Sequence, residues 1–134
     1  MLSIGEFSKI CEVSTKTLRY YEEIGLIYPD EINPENGYRY YSIEQMKKML
    51  FINRLKSYDF SLEEIKAILK LEKDQSDEKL CLALNRKKRD LQDKVTAYEY
   101  TLKQLRQDIL SLENGISILS YRKKIWLWQL HQSL

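Results

Sequence analysis

Apolar residues recur three or four positions apart through the first 70 residues, which is the spacing of helices with one buried face. The pattern predicts short helices over about 4–10 and 15–24, a longer one from 43 to about 58, and another from 62. The side chains expected on their buried faces are Ile4, Phe7, Ile10, Leu18, Tyr21, Ile43, Met46, Leu50, Leu55, Leu62, Ile65, Ile68 and Leu69.

Serine marks the start of each predicted helix. Ser3, Ser42 and Ser61 are each followed three residues later by Glu or Gln, the spacing of a capping box. Ser14 is the expected N-cap of the second helix, and Gly25 is expected to end it. The first two helices are separated by about three residues, which is typical of a helix-turn-helix.

The segment from 26 to 42 holds both prolines and has no helical period. The turn-forming run "NPENG" is followed by "YRYY", whose aromatic bias favours a strand, and Glu31–Ile32 precedes the turn as a possible partner strand. The sequence therefore predicts a small β-hairpin.

A heptad repeat begins after the polar stretch "EKDQSDE". Its apolar positions alternate in steps of four and three: Leu91, Val95, Tyr98, Leu102, Leu105, Ile109, Leu112, Ile116 and Leu119. Leu80 and Leu84 extend it upstream, and Gly115 is expected to weaken its last turns. A helix with such a seam needs a partner helix. We therefore predict three parts. A helix-turn-helix domain with its hairpin occupies residues 1–75, a dimerisation helix residues 76–119, and an aromatic tail residues 120–134.

Composition narrows the function classes. The formal net charge is only +2, so nucleic-acid binding must depend on where basic residues lie. Cys11 and Cys81 lie far apart in the sequence, which gives no disulfide framework and favours the cytoplasm. No apolar run approaches a membrane span, and no signal peptide is visible. The chain has one histidine, His131, and no nucleophile–base pattern, so we expect neither an enzyme nor a cofactor or metal.

Two clusters combine arginine with tyrosine. Lys16, Arg19 and Tyr20 share one stripe of the second helix, opposite the stripe of Leu18 and Tyr21 that suits the core. The other cluster is the "YRYY" strand, residues 38–41. Arginine and tyrosine donate to phosphate oxygens, and arginine also donates to guanine edges. The alternatives are a solvated basic patch on the helix and tyrosines that only pack the hairpin.

The runs "SIGEFSKICEVSTKTLRYYEEIGLI" and "NGYRYYS" closely resemble the N-terminal DNA-binding module of the MerR family of bacterial transcription regulators, over about residues 2–70. The resemblance implies a mainly α fold: a winged helix-turn-helix with a β-hairpin wing, followed by a long antiparallel dimerisation coil. It also implies a homodimer on a pseudo-palindromic promoter in double-stranded DNA. Such regulators bend and untwist the promoter in response to an effector, so that RNA polymerase can use it.

The resemblance also assigns residues. It places Lys16, Arg19 and Tyr20 at the DNA with Tyr21 at the margin, and it places Arg39, Tyr38 and Tyr41 on the wing. Lys56 falls where the family contacts a flanking phosphate. The seam residues from Leu91 to Ile116 correspond to the dimer interface.

The effector end departs from the family's metal sensors, which use cysteines at the start of the dimer helix and after it. Here no cysteine follows Cys81, which we interpret as a buried or half-buried thiol. The aromatic tail is expected to fold back and pack on the dimer. Alternatively, Tyr121, Trp126 and Trp128 contact a small, non-metal, hydrophobic effector, or the tail borders a ligand domain absent from this chain.

The remaining alternatives concern the coil and its basic flanks. The runs at 86–89 and 122–124 are interpreted as solvated. A different class of function is a protein-interaction adaptor, in which the coil binds another protein and the helix-turn-helix is only a scaffold.

Overall fold

The structure, a computed structural model, describes residues 1–119 and residue 132. It is mainly helical, and its elements in chain order are β1 (Leu2–Ser3), α1 (Ile4–Cys11), α2 (Thr15–Glu23), β2 (Glu31–Ile32), β3 (Arg39–Tyr41), α3 (Ile43–Ser57), α4 (Leu62–Lys73) and α5 (Asp77–Glu113). The chain divides into two compact units, Met1–Lys87 and a second unit from Lys88 onward.

Capping serines start the helices as the sequence predicts. The Ser3 hydroxyl accepts from the Glu6 amide at 3.2 Å, and the Glu6 carboxylate accepts from the Ser3 amide at 3.1 Å. Ser61 and Glu64 form the same reciprocal pair at 3.1 and 3.0 Å. Ser14 caps α2 by accepting from the Thr17 amide. These caps satisfy backbone N–H groups that a helix start leaves free.

The predicted capping box at Ser42 forms only half. Ser42 accepts from the Gln45 amide, but the Gln45 side chain turns away and donates to the Tyr28 carbonyl at 2.8 Å and to Asp30 at 3.3 Å. Gln45 therefore ties the segment before β2 to the first turn of α3.

Left-handed residues end the helices. Gly25 has φ +75°, and the Leu26 amide donates to the Tyr21 carbonyl at 2.8 Å, which ends α2 as predicted. Gly115, at φ +78°, ends α5 in the same way, with the Ile116 amide bonded to the Ser111 carbonyl. Helix α5 thus stops at Glu113, before the 119 predicted for the dimerisation helix, and Ile116 lies beyond it.

The wing is a three-stranded antiparallel sheet with the order β1-β3-β2. The predicted hairpin is confirmed, with Ile32 opposite Arg39. The sequence did not predict β1, which pairs Leu2 with Tyr41. A two-residue strand is too short to show the alternation by which strands are recognised.

The core of the first unit consists of Phe7, Cys11, Leu18, Tyr21, Leu26, Ile27, Tyr41, Met49, Ile52, Leu55, Phe60, Ile65 and Ile68. The expected burial of Ile10, Ile43 and Leu50 is wrong, since all three are exposed. On α3 the buried face carries Met49, Ile52 and Leu55, whereas Ile43 and Leu50 lie seven residues apart on the opposite face. The sequence pattern of α3 is apolar on both faces and so does not choose between them.

The first turns of α5 belong to the first unit, which therefore extends past the predicted boundary at 75. Leu80 packs against the core. The Lys87 ammonium donates to the Asp59 carbonyl at 3.2 Å, lies 3.7 Å from a Glu64 carboxylate oxygen, and sits 4.8 Å from the Phe60 ring centroid. The prediction that residues 86–89 are all solvated is thus wrong for Lys87, whose side chain is only 13 % exposed.

The cysteines differ from each other. Cys11 is buried, and burial raises the pKa of its thiol. Cys81 is exposed, contrary to the prediction, with the Asn85 amide nitrogen 3.4 Å from its sulfur. It therefore does not contribute to the apolar core.

In the second unit, α5 presents its heptad residues on the surface of the single chain. Val95, Leu102, Leu105, Ile109 and Leu112 each expose about half of their surface, and Tyr98 exposes more. No helix in the described part of the chain is long and apolar enough to cross a bilayer.

Candidate nucleic-acid interface

Helix α2 has two chemically different sides. Leu18 and Tyr21 are buried in the core, as their spacing predicts. Lys16, Arg19 and Tyr20 lie on the exposed side, and Tyr20 keeps 48 % of its surface accessible. The structure therefore presents an ammonium, a guanidinium and a phenol on one face of a helix whose other face is anchored.

Tyr21 is a core residue, so its expected place at the margin of a DNA surface is wrong. Its ring is buried, and its hydroxyl accepts from the Lys56 ammonium at 2.9 Å. That ammonium also lies 5.7 Å from the centroid of the Tyr21 ring, within cation–π range. Tyr21 thus helps to position Lys56, whose residue as a whole is exposed.

Tyr41 is also a core residue and not a surface contact of the wing. It is fully buried and stacks on Phe7, with ring centroids 4.2 Å apart. Within the described residues its hydroxyl has no hydrogen-bond partner. Burial raises the pKa of Tyr41, and the Glu22 carboxylate raises it further. Alternate residues of β3 face opposite sides of the sheet, so Tyr41 lies on the same side as Arg39, which pairs with α2, and opposite to Tyr40.

Arg39 is held by an ion pair that the sequence did not reveal. Its Nε donates to one Glu22 carboxylate oxygen at 2.8 Å, and its Nη2 donates to the other at 3.3 Å. The side chains are 29 % and 23 % exposed, respectively. The hydrogen bond from Arg39 to Glu22 raises the pKa of the arginine. Arg39, which was expected on the wing as a DNA contact, is therefore mostly buried and fixed to α2.

Tyr38 is the exposed tyrosine of the wing, with 63 % of its surface accessible. Its amide donates to the Asn36 side chain at 2.9 Å, which holds the residue next to the turn. The preceding turn is closed by a bond from the Gly37 amide to the Asn33 carbonyl. Tyr38 is therefore exposed at the tip of the wing, whereas Tyr41 packs the base of the wing against the core.

Arg19 lines two surface clefts and thereby links the helix to the wing. One cleft, of about 280 Å³, includes Arg19, Tyr38 and Arg39 in its lining. The other, of about 460 Å³, includes Lys16, Arg19 and Tyr20. Guanidinium, ammonium and phenol donors so arranged suit phosphate oxygens and the acceptor edges of bases.

Glu22 is the member of this site that sequence reasoning missed. It lies one turn after Arg19, where a glutamate is unremarkable on an exposed helix. Only the pairing of the wing, which brings β3 next to α2, shows that its partner is Arg39. The sequence carries no local signal for a contact across 17 positions.

The candidate metal and effector contacts lie toward the C-terminal part of the chain, which is described to residue 119 and at residue 132. Among residues 1–119 and 132, no group of three His, Cys, Asp or Glu side chains could hold a metal ion. The candidate effector contacts Tyr121, Trp126 and Trp128 lie outside the described residues, as does His131.

Comparison with known protein families gives two matches. Residues 2–72 match the MerR HTH family of regulatory proteins, and residues 46–112 match the MerR DNA-binding family. The first covers the helix-turn-helix, the wing, α3 and nearly all of α4. The second reaches along the heptad seam to Leu112, one residue before the end of α5.

Similar proteins agree with these matches. The transcriptional regulator BrlR of Pseudomonas aeruginosa is 36 % identical over 115 residues, covering 84 % of this chain and 42 % of that protein. The crystal structure of MtaN, the N-terminus of the Bacillus subtilis multidrug transporter activator, superposes with a TM-score of 0.72 at 27 % identity. It covers 83 % of this chain and 100 % of that one.

A third similar structure is an EcmrR–DNA complex determined by cryo-electron microscopy within EcmrR-RPo. It has a TM-score of 0.55 and 38 % identity, and it covers 91 % of this chain and 40 % of that one. The chain spans half or less of the length of the first curated relatives that it matches. With a family match over residues 2–72 and the winged helix-turn-helix in place, the chain belongs to the MerR family.

Proposed function

We propose that this chain is a sequence-specific, double-stranded-DNA-binding transcriptional regulator of the MerR type. The observation that carries the proposal is the position of Arg19, which lines one cleft with Lys16 and Tyr20 and a second with the wing. DNA contacts are proposed for Lys16, Arg19, Tyr20, Tyr38 and Arg39, and Lys56 is proposed to contact a flanking phosphate. The EcmrR–DNA complex, a structure of a similar chain, supports DNA binding by a chain of this fold.

The active form is proposed to be a homodimer. A single chain leaves the apolar seam of α5 half-exposed from Val95 to Leu112. Fully burying an exposed side chain of this kind contributes roughly 1.5–3 kcal/mol, so covering the exposed half contributes about half of that, and a partner helix would cover several. We propose an antiparallel coiled coil formed by Leu91, Val95, Tyr98, Leu102, Leu105, Ile109 and Leu112, whereas Ile116 lies beyond the end of the helix.

The regulatory step is proposed to be deformation of a pseudo-palindromic promoter, bent and untwisted so that RNA polymerase can use it. Smooth bending of such a site costs of order 1–6 kcal/mol, which added contacts must offset. The effector is proposed to be a small hydrophobic molecule that meets the aromatic tail.

The decisive experiment is selection of bound duplexes from a random pool, followed by titration of the selected duplex at two salt concentrations. We expect two related half-sites and an affinity that falls steeply with salt, because phosphate contacts release counterions. Arg19→Ala should weaken specific binding by about 1–3 kcal/mol. Lys70→Ala is the matched control, since it removes one positive charge from an exposed position on α4.

The adaptor hypothesis predicts a different result. A scaffold helix-turn-helix would select no common sequence, and Arg19→Ala and Lys70→Ala would behave alike. Either finding would overturn the proposed function.

A further inference from the structure

An ion pair between Glu22 and Arg39 directly links the exposed helix α2 to the wing. It joins α2 to the central strand β3, with N–O distances of 2.8 and 3.3 Å. Both side chains are more than two-thirds buried. A forked pair of this kind fixes the plane of the guanidinium as well as its position.

The geometry leaves donors available on Arg39. A guanidinium has five N–H groups, and Glu22 engages the Nε and Nη2 edge. Arg39 also lines the cleft that includes Arg19 and Tyr38. An arginine that is held along one edge by a carboxylate can present its remaining N–H groups to a phosphate or a base with little loss of side-chain freedom.

We propose that Glu22 is a positioning residue for DNA recognition, which acts by holding Arg39 in its binding orientation. The inference rests on the proposed function. A positioning role for Glu22 is unusual, because a carboxylate close to bound DNA repels the phosphates and by charge alone weakens binding. If Glu22 had no positioning role, removing its charge would tighten binding. Because it orders Arg39, removing its charge weakens binding instead.

The test uses the full chain and the selected duplex. Glu22→Gln should raise Kd about tenfold, which corresponds to about 1.4 kcal/mol. Arg39→Ala should raise Kd at least as much, and the double variant should bind no more weakly than Arg39→Ala alone. Arg39→Ala should also reduce the salt slope by about one, whereas Glu22→Gln, which keeps the cation, should leave it unchanged.

Two further variants separate positioning from charge and from structure. Glu23→Gln removes the same charge from the next, exposed residue of α2 and should bind as tightly as the parent or more tightly. The reciprocal exchange, Glu22→Arg with Arg39→Glu, restores an ion pair between α2 and β3 and should restore thermal stability. It should leave binding weak, because the wing then presents a carboxylate.

Three results would overturn the inference. Glu22→Gln binding as tightly as the parent would show that Arg39 needs no support. Recovery of binding by the reciprocal exchange would show that the pair is only structural. A parent protein that selects no duplex would refute the proposed function, and this inference with it. The first two results leave specific binding by the parent intact, so the two failures are distinguishable.

Discussion

Removing the Tyr41 hydroxyl is expected to stabilise the first unit. Tyr41 is fully buried, its ring stacks on Phe7, and its hydroxyl has no hydrogen-bond partner among the described residues. Tyr41→Phe keeps the ring and the stacking and deletes only the oxygen. The substitution therefore isolates the energetic cost of one buried polar atom.

The magnitude follows from the burial. A buried polar group that lacks a hydrogen bond costs about 1–3 kcal/mol relative to its hydrated state. We take the lower end of this range, because the stacking of the ring on Phe7 also changes slightly when the oxygen is removed. Tyr41→Phe should therefore raise the free energy of unfolding by about 1 kcal/mol. For a unit of this size, that change corresponds to a rise in Tm of roughly 4–8 °C.

The assay is urea denaturation of both proteins at one protein concentration, since any dimerisation makes stability depend on concentration. A pH series adds a second signature. Burial, followed by the Glu22 charge, raises the pKa of Tyr41 above its ordinary value of 10.0. The unfolded chain therefore loses this proton first, and wild-type stability falls as the pH rises above about 10. Tyr41→Phe should show a smaller fall.

A less stable Tyr41→Phe would refute this reasoning, because it would mean that the hydroxyl makes a favourable bond in solution. Phe7→Leu is the contrasting variant, since it removes the stacking partner and leaves the hydroxyl in place. It should destabilise the unit.

Three other changes test the seam, a helix end and a cap. Leu105→Lys places a charge in the apolar stripe of α5 and should give monomers by sedimentation, whereas Lys103→Ala, off the seam, should not; an intact Leu105→Lys dimer would refute the seam. Gln75 ends α4 at φ +53°, a conformation that glycine adopts without strain, so Gln75→Gly should raise the free energy of unfolding by about 0.5–1 kcal/mol in chemical denaturation. An unchanged or lower free energy of unfolding would show that no strain is relieved there. Glu64→Gln should be less stable than the parent at neutral pH, because bonds to Ser61 hold the Glu64 pKa below its ordinary value of 4.5. That difference should shrink as the pH falls through this range, and a difference independent of pH would contradict the assignment.

The sequence predicted the helices and most of their caps well, because those signals are local. Ser3 with Glu6, and Ser61 with Glu64, carry their partner three residues away. Gln45 has the same spacing from Ser42, yet its side chain binds Tyr28 and Asp30 instead. That competition depends on a loop folding back onto α3, which no local pattern specifies.

The candidate site was predictable only on the helix. A period of 3.6 residues places Lys16, Arg19 and Tyr20 opposite Leu18 and Tyr21. On the wing, four consecutive residues from 38 to 41 are aromatic or basic, so composition does not tell which ones face the core. The packing of β3 decides it, and β3 pairs on one side with β1, a strand the sequence did not predict.

The pairing of Leu2 with Tyr41 has a consequence for the order of folding. The hairpin of β2 and β3 closes over a few residues, whereas β1 must close a loop of about 40 residues, at an entropic cost of about 3 kcal/mol. The hydrogen bonds of a two-residue strand offset little of that cost until α1 has packed and Phe7 has stacked on Tyr41. We therefore expect β1 to be the last strand added on refolding and the first to fray, with amide protons at residues 2–3 exchanging faster than those of β3.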